Sequence, residues 1–363
     1  MKRDCRLSLA IENLPPAYFA MVMATGIVSI ASEFVGFQLL PVGLLWLNVV
    51  FYVCLWMLTI ARIICHSDRF IGDIGDFNRG FGYMTTVAGT CILGSQFVIL
   101  ERAYQLGMTL FCLGLGIWIL SIYTVFSSFI VRSVKPLIQD GINGAWLLAT
   151  VSTQSLSILG GRLADKFPFY QEIILLFSMC MFLLGCVLYL IVITLIFHRL
   201  IFKEFGPEDL SPTYWINMGA VAISTLAGSV LLEAFHGGKA FGNFVPFMSG
   251  LTLMCWTVAT WWIPILFFLM FWRHFIRGYE LSYSVEYWSM VFPLGMYTAC
   301  TAKLSEAFQF TFLSQIPHYF IYIACLAWFM TFSGLLVSIY QFFVNDGVSY
   351  ASEKGDPNQD KRR

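Results

Sequence analysis

The sequence predicts an all-α integral membrane protein whose ten transmembrane helices form five helical hairpins. Three observations predict it. The chain of 363 residues is 58% hydrophobic and 12% charged, with a mean hydropathy of +0.76, and so few charged groups cannot solvate a globular surface of its size. An apolar segment led by an aromatic residue recurs five times, at Tyr18, Tyr83, Trp146, Trp215 and Trp288, with spacings of 65, 63, 69 and 73 residues. Between successive copies lies a second, bulkier apolar stretch, so the repeating unit is a hairpin long enough to cross a bilayer twice.

A helix rising about 1.5 Å per residue needs about 20 apolar residues to cross a hydrocarbon core of about 30 Å. On that criterion the spans fall at 15–34, 42–64, 80–100, 105–131, 141–161, 170–198, 213–234, 244–272, 286–303 and 317–344. They make one membrane domain, 15–344, flanked by an N-terminal tail, 1–14, and a polar C-terminal tail, 345–363. Basic residues set the orientation, because cytoplasmic loops retain an excess of Lys and Arg. One side holds sixteen: Lys2, Arg3, Arg6, Arg62, Arg69, Arg79, Arg132, Lys135, Arg199, Lys203, Arg273, Arg277 and four in the C-terminal tail. The other holds five: Arg102, Arg162, Lys166, Lys239 and Lys303. Both termini are therefore expected in the cytoplasm, and the protein in the plasma (inner) membrane. The first apolar run follows Lys2, Arg3 and Arg6 as a signal peptide would, but it is one of five equivalent repeats and is expected to stay.

The odd spans differ from the even ones. Odd spans carry Ala24-Thr25-Gly26, Ala88-Gly89-Thr90, Ser152-Thr153-Gln154-Ser155 and Ile223-Ser224-Thr225, whereas even spans are bulky, as at Trp261-Trp262-Ile263-Pro264. Small residues let helix backbones approach, and hydroxyls offer weak hydrogen-bonding groups to a wet path. An inner ring of five odd helices and an outer ring of five even ones is predicted. Small residues also serve ordinary helix packing, and for any single span that is the simpler reading; the common register argues for a pore. Seven residues beyond the leading aromatic stand Thr25, Thr90, Thr153, Ala222 and Gly295, and four beyond it stand Val22, Val87, Thr150, Gly219 and Phe292. Only the ninth span puts an aromatic ring at that level. Phe292 precedes Pro293, whose missing N–H frees a carbonyl near Ser289 and kinks the helix, for packing or for aiming Phe292.

The segments Pro15-Pro16-Ala17-Tyr18-Phe19-Ala20-Met21-Val22-Met23-Ala24-Thr25-Gly26 and Phe292-Pro293-Leu294-Gly295, within the same ten-span order, resemble the tellurite-resistance/dicarboxylate transporter family. That family takes in yeast malate and sulfite transporters and plant guard-cell slow anion channels. The resemblance runs from about Pro15 to Phe343. It implies a quasi-fivefold arrangement of hairpins around a central pore, protomers gathered as a homotrimer, and a pore-plugging phenylalanine that falls on Phe292. The continuation Phe-Pro-Leu-Gly-Met-Tyr looks closer to the dicarboxylate and sulfite branch.

Ionisable groups near membrane depth sit only at the far ends of the odd spans: Glu33, Glu101, Arg102, Arg162, Asp165, Glu233, Lys303 and Glu306. Lys303 with Glu306, and Arg162 with Asp165, are spaced i, i+3 and read first as local ion pairs. No carboxylate lies at midmembrane to bind Na⁺ or relay a proton, which favours movement down a gradient. Arg79 and Arg132 would enrich anions at the inner mouth. The five histidines lie at span ends or in loops, and no G-x-S-x-G, H-E-x-x-H or P-loop pattern occurs. No enzyme activity, cofactor, metal site or nucleic-acid partner is expected.

The expected function is transport of a small anion, a C4-dicarboxylate such as malate or an inorganic ion such as sulfite or chloride. Phe292 and Pro293 form the expected gate, with Val22, Thr25, Val87, Thr90, Thr150, Thr153, Gly219, Ser224, Gly295 and Thr298 on the wall. The alternative is a non-conducting membrane sensor or interaction protein on the same fold. The partners are the small anion, the lipid bilayer and further copies of the chain.

Overall fold

Every long element in the computed structural model is a helix, and no strand occurs among the described residues, 8–235 and 241–344. Lys2, Arg3, Arg6, His236, Lys239 and the C-terminal tail lie outside them. The ten long helices are α1 (Ala20–Val35), α2 (Leu40–Cys65), α3 (Met84–Leu100), α4 (Tyr104–Val131), α5 (Leu148–Leu163), α6 (Gln171–Phe202), α7 (Ile216–Phe235), α8 (Val245–Phe271), α9 (Trp288–Phe308) and α10 (Gln315–Val344).

A tight 3₁₀ turn leads into each odd helix: Pro16–Phe19, Gly80–Tyr83, Gly144–Leu147, Pro212–Trp215 and Val285–Tyr287. Proline opens two of these turns, where its missing N–H costs nothing and its fixed φ suits the first turn. At the far end α1 stops at Gly36, φ 93°, whose N–H bonds the Glu33 carbonyl. That left-handed cap suits a residue without Cβ.

The odd helices pack in the closed order α1, α3, α5, α7, α9 and back to α1. Each even helix lies outside, on its own hairpin partner and on the next odd helix. In α1, α3 and α7 the most apolar stretch is 78–89% buried, against 22–39% in the even helices, so the odd helices are the core and the even ones the lipid-facing layer. Trp46, Leu120, Phe268 and Tyr319 stand exposed on that layer. The fold is the predicted one, with one refinement. Among the described residues eight helical segments are long and apolar enough to cross a membrane unaided; the fifth and ninth, α5 and α9, are not among them. Arg162 and a run of Ser, Thr and Gln lower the apolarity of α5, and Lys303 and Glu306 that of α9. Both are shielded by neighbours inside the bundle, which lets them be more polar than a lipid-exposed span.

Two rings so different in polarity are joined by hydrogen bonds at all five outer-to-inner seams. The indole Nε1 of Trp328 donates to Thr25 Oγ1 (3.0 Å), Trp118 to Thr153 (2.9 Å) and Trp256 to Thr301 (3.0 Å). Tyr52 Oη lies 2.9 Å from Thr90 Oγ1, and Tyr189 Oη donates to the Asn217 carbonyl (3.3 Å). A buried Trp or Tyr must satisfy its polar atom within the bundle, since hydrocarbon offers nothing.

The loops at the N-terminal end of the odd helices are tied by ions. Asp73 pairs with Arg62 (2.6 Å) and Arg79 (3.0 Å), while Arg199 binds Asp209 (3.0 Å) and the Ile142 carbonyl (2.7 Å). Arg62 and Arg69 also reach back to Glu12, so part of the segment predicted as a tail is bound to the bundle.

Candidate functional site

Three spaces lie along the ring of odd helices. At its N-terminal end a vestibule of about 540 Å³ is lined from each of the five odd helices or the turn that leads into it, by Ala17, Gly82, Leu148, Thr213 and Ser289 among others. At its C-terminal end a second, of about 430 Å³, is lined by Phe34, Val98, Arg162, Val230 and Lys303 among others, again from all five. Between them a small cavity of about 10 Å³, lined by Ile27, Ile92, Ser155, Leu226 and Met296, is at the limit for one water.

Helical register places Phe292 in this series. Residues three or four apart share a helix face, and Phe292 stands three residues after Ser289 in the N-terminal vestibule and four before Met296 in the small cavity. It is 1% exposed, buried within the packed ring of odd helices. Counted from the end of each 3₁₀ turn, the fifth residue is Ala24, Ala88, Ser152, Ala220 and Phe292. In that register four helices carry a small residue and the fifth a benzyl group.

This register corrects the predicted wall. Thr25, Thr90 and Thr153 turn away from the centre, and their hydroxyls are the ones bonded by Trp328, Tyr52 and Trp118. Seven residues are almost two full turns, so these threonines share a face with the leading aromatic, a face that fits the outer ring. Several other predicted residues lie in seams between odd helices. A Cβ on Gly219 would fall 2.7 Å from Pro293 Cγ, one on Gly295 3.0 Å from Ile27, and one on Gly89 3.3 Å from Val22. Gly219, Gly295, Val22 and Pro293 are thus packing contacts of α7 with α9, α9 with α1, and α1 with α3. Ser224 and Thr298 donate to carbonyls of their own helices, Ala220 and Leu294. Val87 is fully buried, and Thr150 is buried with no hydrogen-bond partner for its hydroxyl. The helix continues unbroken through Pro293.

The charged groups also divide. Arg79 lines the N-terminal vestibule while bound to Asp73. Arg132 does not serve the mouth: it donates to the Gly75 carbonyl (2.6 Å) and lies over the Phe77 ring. Arg273, which no sequence signal singled out, lines that vestibule against the Tyr279 ring, 4.2 Å away. At the other end Lys303 does pair with Glu306 (2.5 Å), with Glu233 at 3.8 Å. Arg162 does not pair with Asp165, which binds Lys166 at 2.7 Å and so raises the pKa of that exposed ammonium. Among the described residues no group of three or more His, Cys, Asp and Glu is placed to hold a metal ion.

A ring of buried helices with vestibules at both ends and a constriction between them defines a multi-pass membrane protein of the channel or transporter class. Over residues 13–336 the sequence matches the voltage-dependent anion channel family, SLAC1, and the chain belongs to it. A transporter of Methanocaldococcus jannaschii is 24% identical over 328 residues, covering 88% of this chain and 92% of the relative. The sulfite efflux pump of Trichophyton rubrum is 21% identical over 350 residues, 90% of each chain. An S-type anion channel of Arabidopsis thaliana is 22% identical over 125 residues, 34% of this chain and 21% of the relative.

Proposed function

We propose that this protein conducts small anions passively along the axis of the odd-helix ring, with Phe292 as the gate. The observation that carries the reading is the level of Phe292: a single large ring set against Ala24, Ala88, Ser152 and Ala220, with open vestibules above and below. A pore blocked by one side chain opens by one rotamer change or a small helix shift, whereas five interlocked side chains would need the bundle to move. Among the described residues no Asp or Glu lines the small cavity between the vestibules, which favours flux not coupled to H⁺ or Na⁺. The names of the relatives make sulfite and other small inorganic anions the first substrates to try, with malate the dicarboxylate to set beside them.

The basic-residue asymmetry supports a cytoplasmic N-terminal vestibule, cytoplasmic termini and a place in the plasma membrane. The family resemblance makes a homotrimer the assembly to expect. The test is anion uptake into proteoliposomes by wild type and Phe292→Ala, comparing sulfite, chloride, nitrate and malate. Faster uptake by the variant supports the gate; equal uptake by a well-folded variant removes it.

A further inference from the structure

At the floor of the C-terminal vestibule one positive charge is left unmatched. Arg162 lines both that vestibule and the small cavity beneath it. Its Nε and Nη2 are buried and have no hydrogen-bond partner, and no carboxylate among the described residues forms an ion pair with it. Those two nitrogens form one edge of the guanidinium, the edge that donates two parallel hydrogen bonds to a pair of oxygens. The Phe34 ring lies 5.6 Å from the guanidinium carbon, which stabilises the charge without using either donor.

The carboxylates nearby are already engaged. Asp165 holds Lys166, and Glu233 and Glu306 share Lys303. All three are more than half exposed, so water and salt screen them, while the buried arginine edge is screened far less. A buried charge-bearing donor pair left unsatisfied is costly, and the bound state of an oxyanion removes that cost.

We propose that Arg162 is the core of an anion-binding site at the inner end of the C-terminal vestibule, selective for small oxyanions that offer two coplanar oxygens, such as sulfite or a carboxylate, over spherical halides. The proposal rests on the anion-conducting reading for its role, since an anion held there waits directly above the constriction. Binding itself does not depend on conduction.

The test is equilibrium binding of radiolabelled sulfite to the purified full-length protein in detergent, with chloride and malate as competitors, beside sulfite uptake by the same preparations in liposomes. Saturable binding by wild type is expected, weakened about tenfold or more in Arg162→Gln, as removal of two charge-assisted hydrogen bonds implies. Arg162→Lys is expected to keep the charge but lose the preference for sulfite over chloride. A purely structural arginine would instead lower the melting temperature strongly on mutation to Gln; here little decrease is expected, because the side chain loses no ion pair and no hydrogen bond from its Nε–Nη2 edge, only the Phe34 ring contact. Unaltered sulfite affinity in a folded Arg162→Gln, or no saturable binding by wild type, would overturn the site. Binding without uptake would uphold the site and sink the conduction reading, while uptake together with sulfite binding that is indifferent to Arg162 would do the reverse.

Discussion

Phe292 and Thr153 show how helical register sorts side chains that look equivalent in the sequence. Phe292 falls in line with Ser289 and Met296, both of which line axial spaces, and under the proposed gating its ring is the one that fills the constriction. Phe292→Ala is expected to raise anion flux by about tenfold or more, equivalent to about 1.4 kcal/mol off the barrier, with the protein still folded in detergent at a lower melting temperature, because a buried benzyl group is lost. Thr153 belongs to the opposite class. Its hydroxyl accepts from Trp118 in a layer without water, so Thr153→Val leaves an indole N–H unpaired and should cost about 1–3 kcal/mol of stability. Thermal unfolding would show that loss, and flux per folded molecule would stay unchanged, whereas a pore-lining threonine would alter flux first. The prominence of an aromatic at the ninth helix was legible in the sequence. The facing of the threonines was not, because the aromatic used for alignment is the last or next-to-last residue of four 3₁₀ turns but the first residue after the fifth, and a one-residue slip rotates a helix by about 100°. Arg162 was read in the sequence as the partner of Asp165, three residues on, and only the Asp165–Lys166 pairing leaves it unmatched.

At the scale of the helix, the seams of the inner ring depend on close approach. Gly219 lets α7 lie against the rigid ring of Pro293 in α9, and a methyl group there would sit 2.7 Å from Pro293 Cγ. Proline cannot swing aside, so Gly219→Ala should push α7 and α9 apart and destabilise by about 1–3 kcal/mol, the range for overpacking. Because Pro293 adjoins Phe292, the same variant should change basal flux, which stopped-flow anion uptake would register. The axial face has its own test in a background without native cysteine and with Phe292→Ala. Ala24→Cys, Ala88→Cys and Ala220→Cys should react with a small water-soluble thiol reagent, and Thr25→Cys, facing Trp328, should not. The reverse pattern would restore the threonine wall. The hairpin period and the contrast between small odd spans and bulky even ones were readable because burial on all sides and burial on one side select different residues. The ends of the spans were less so: α6 and α9 run past the predicted 198 and 303 to Phe202 and Phe308, since a helix stops at caps and loop contacts rather than where apolarity fades.

Across the whole molecule, two vestibules face opposite ends of a closed inner ring, and among the described residues no carboxylate lines the small cavity between them. Such an arrangement suits a gated pore with movement down the electrochemical gradient. The measurement that tests this most directly is the current through Phe292→Ala in a planar bilayer under a tenfold sulfite gradient at fixed pH. A reversal potential that follows the anion gradient and does not move when a pH gradient is imposed is expected, with wild type carrying far less current. A reversal potential that follows protons, or variant currents no larger than wild type, would contradict a phenylalanine-gated anion pore.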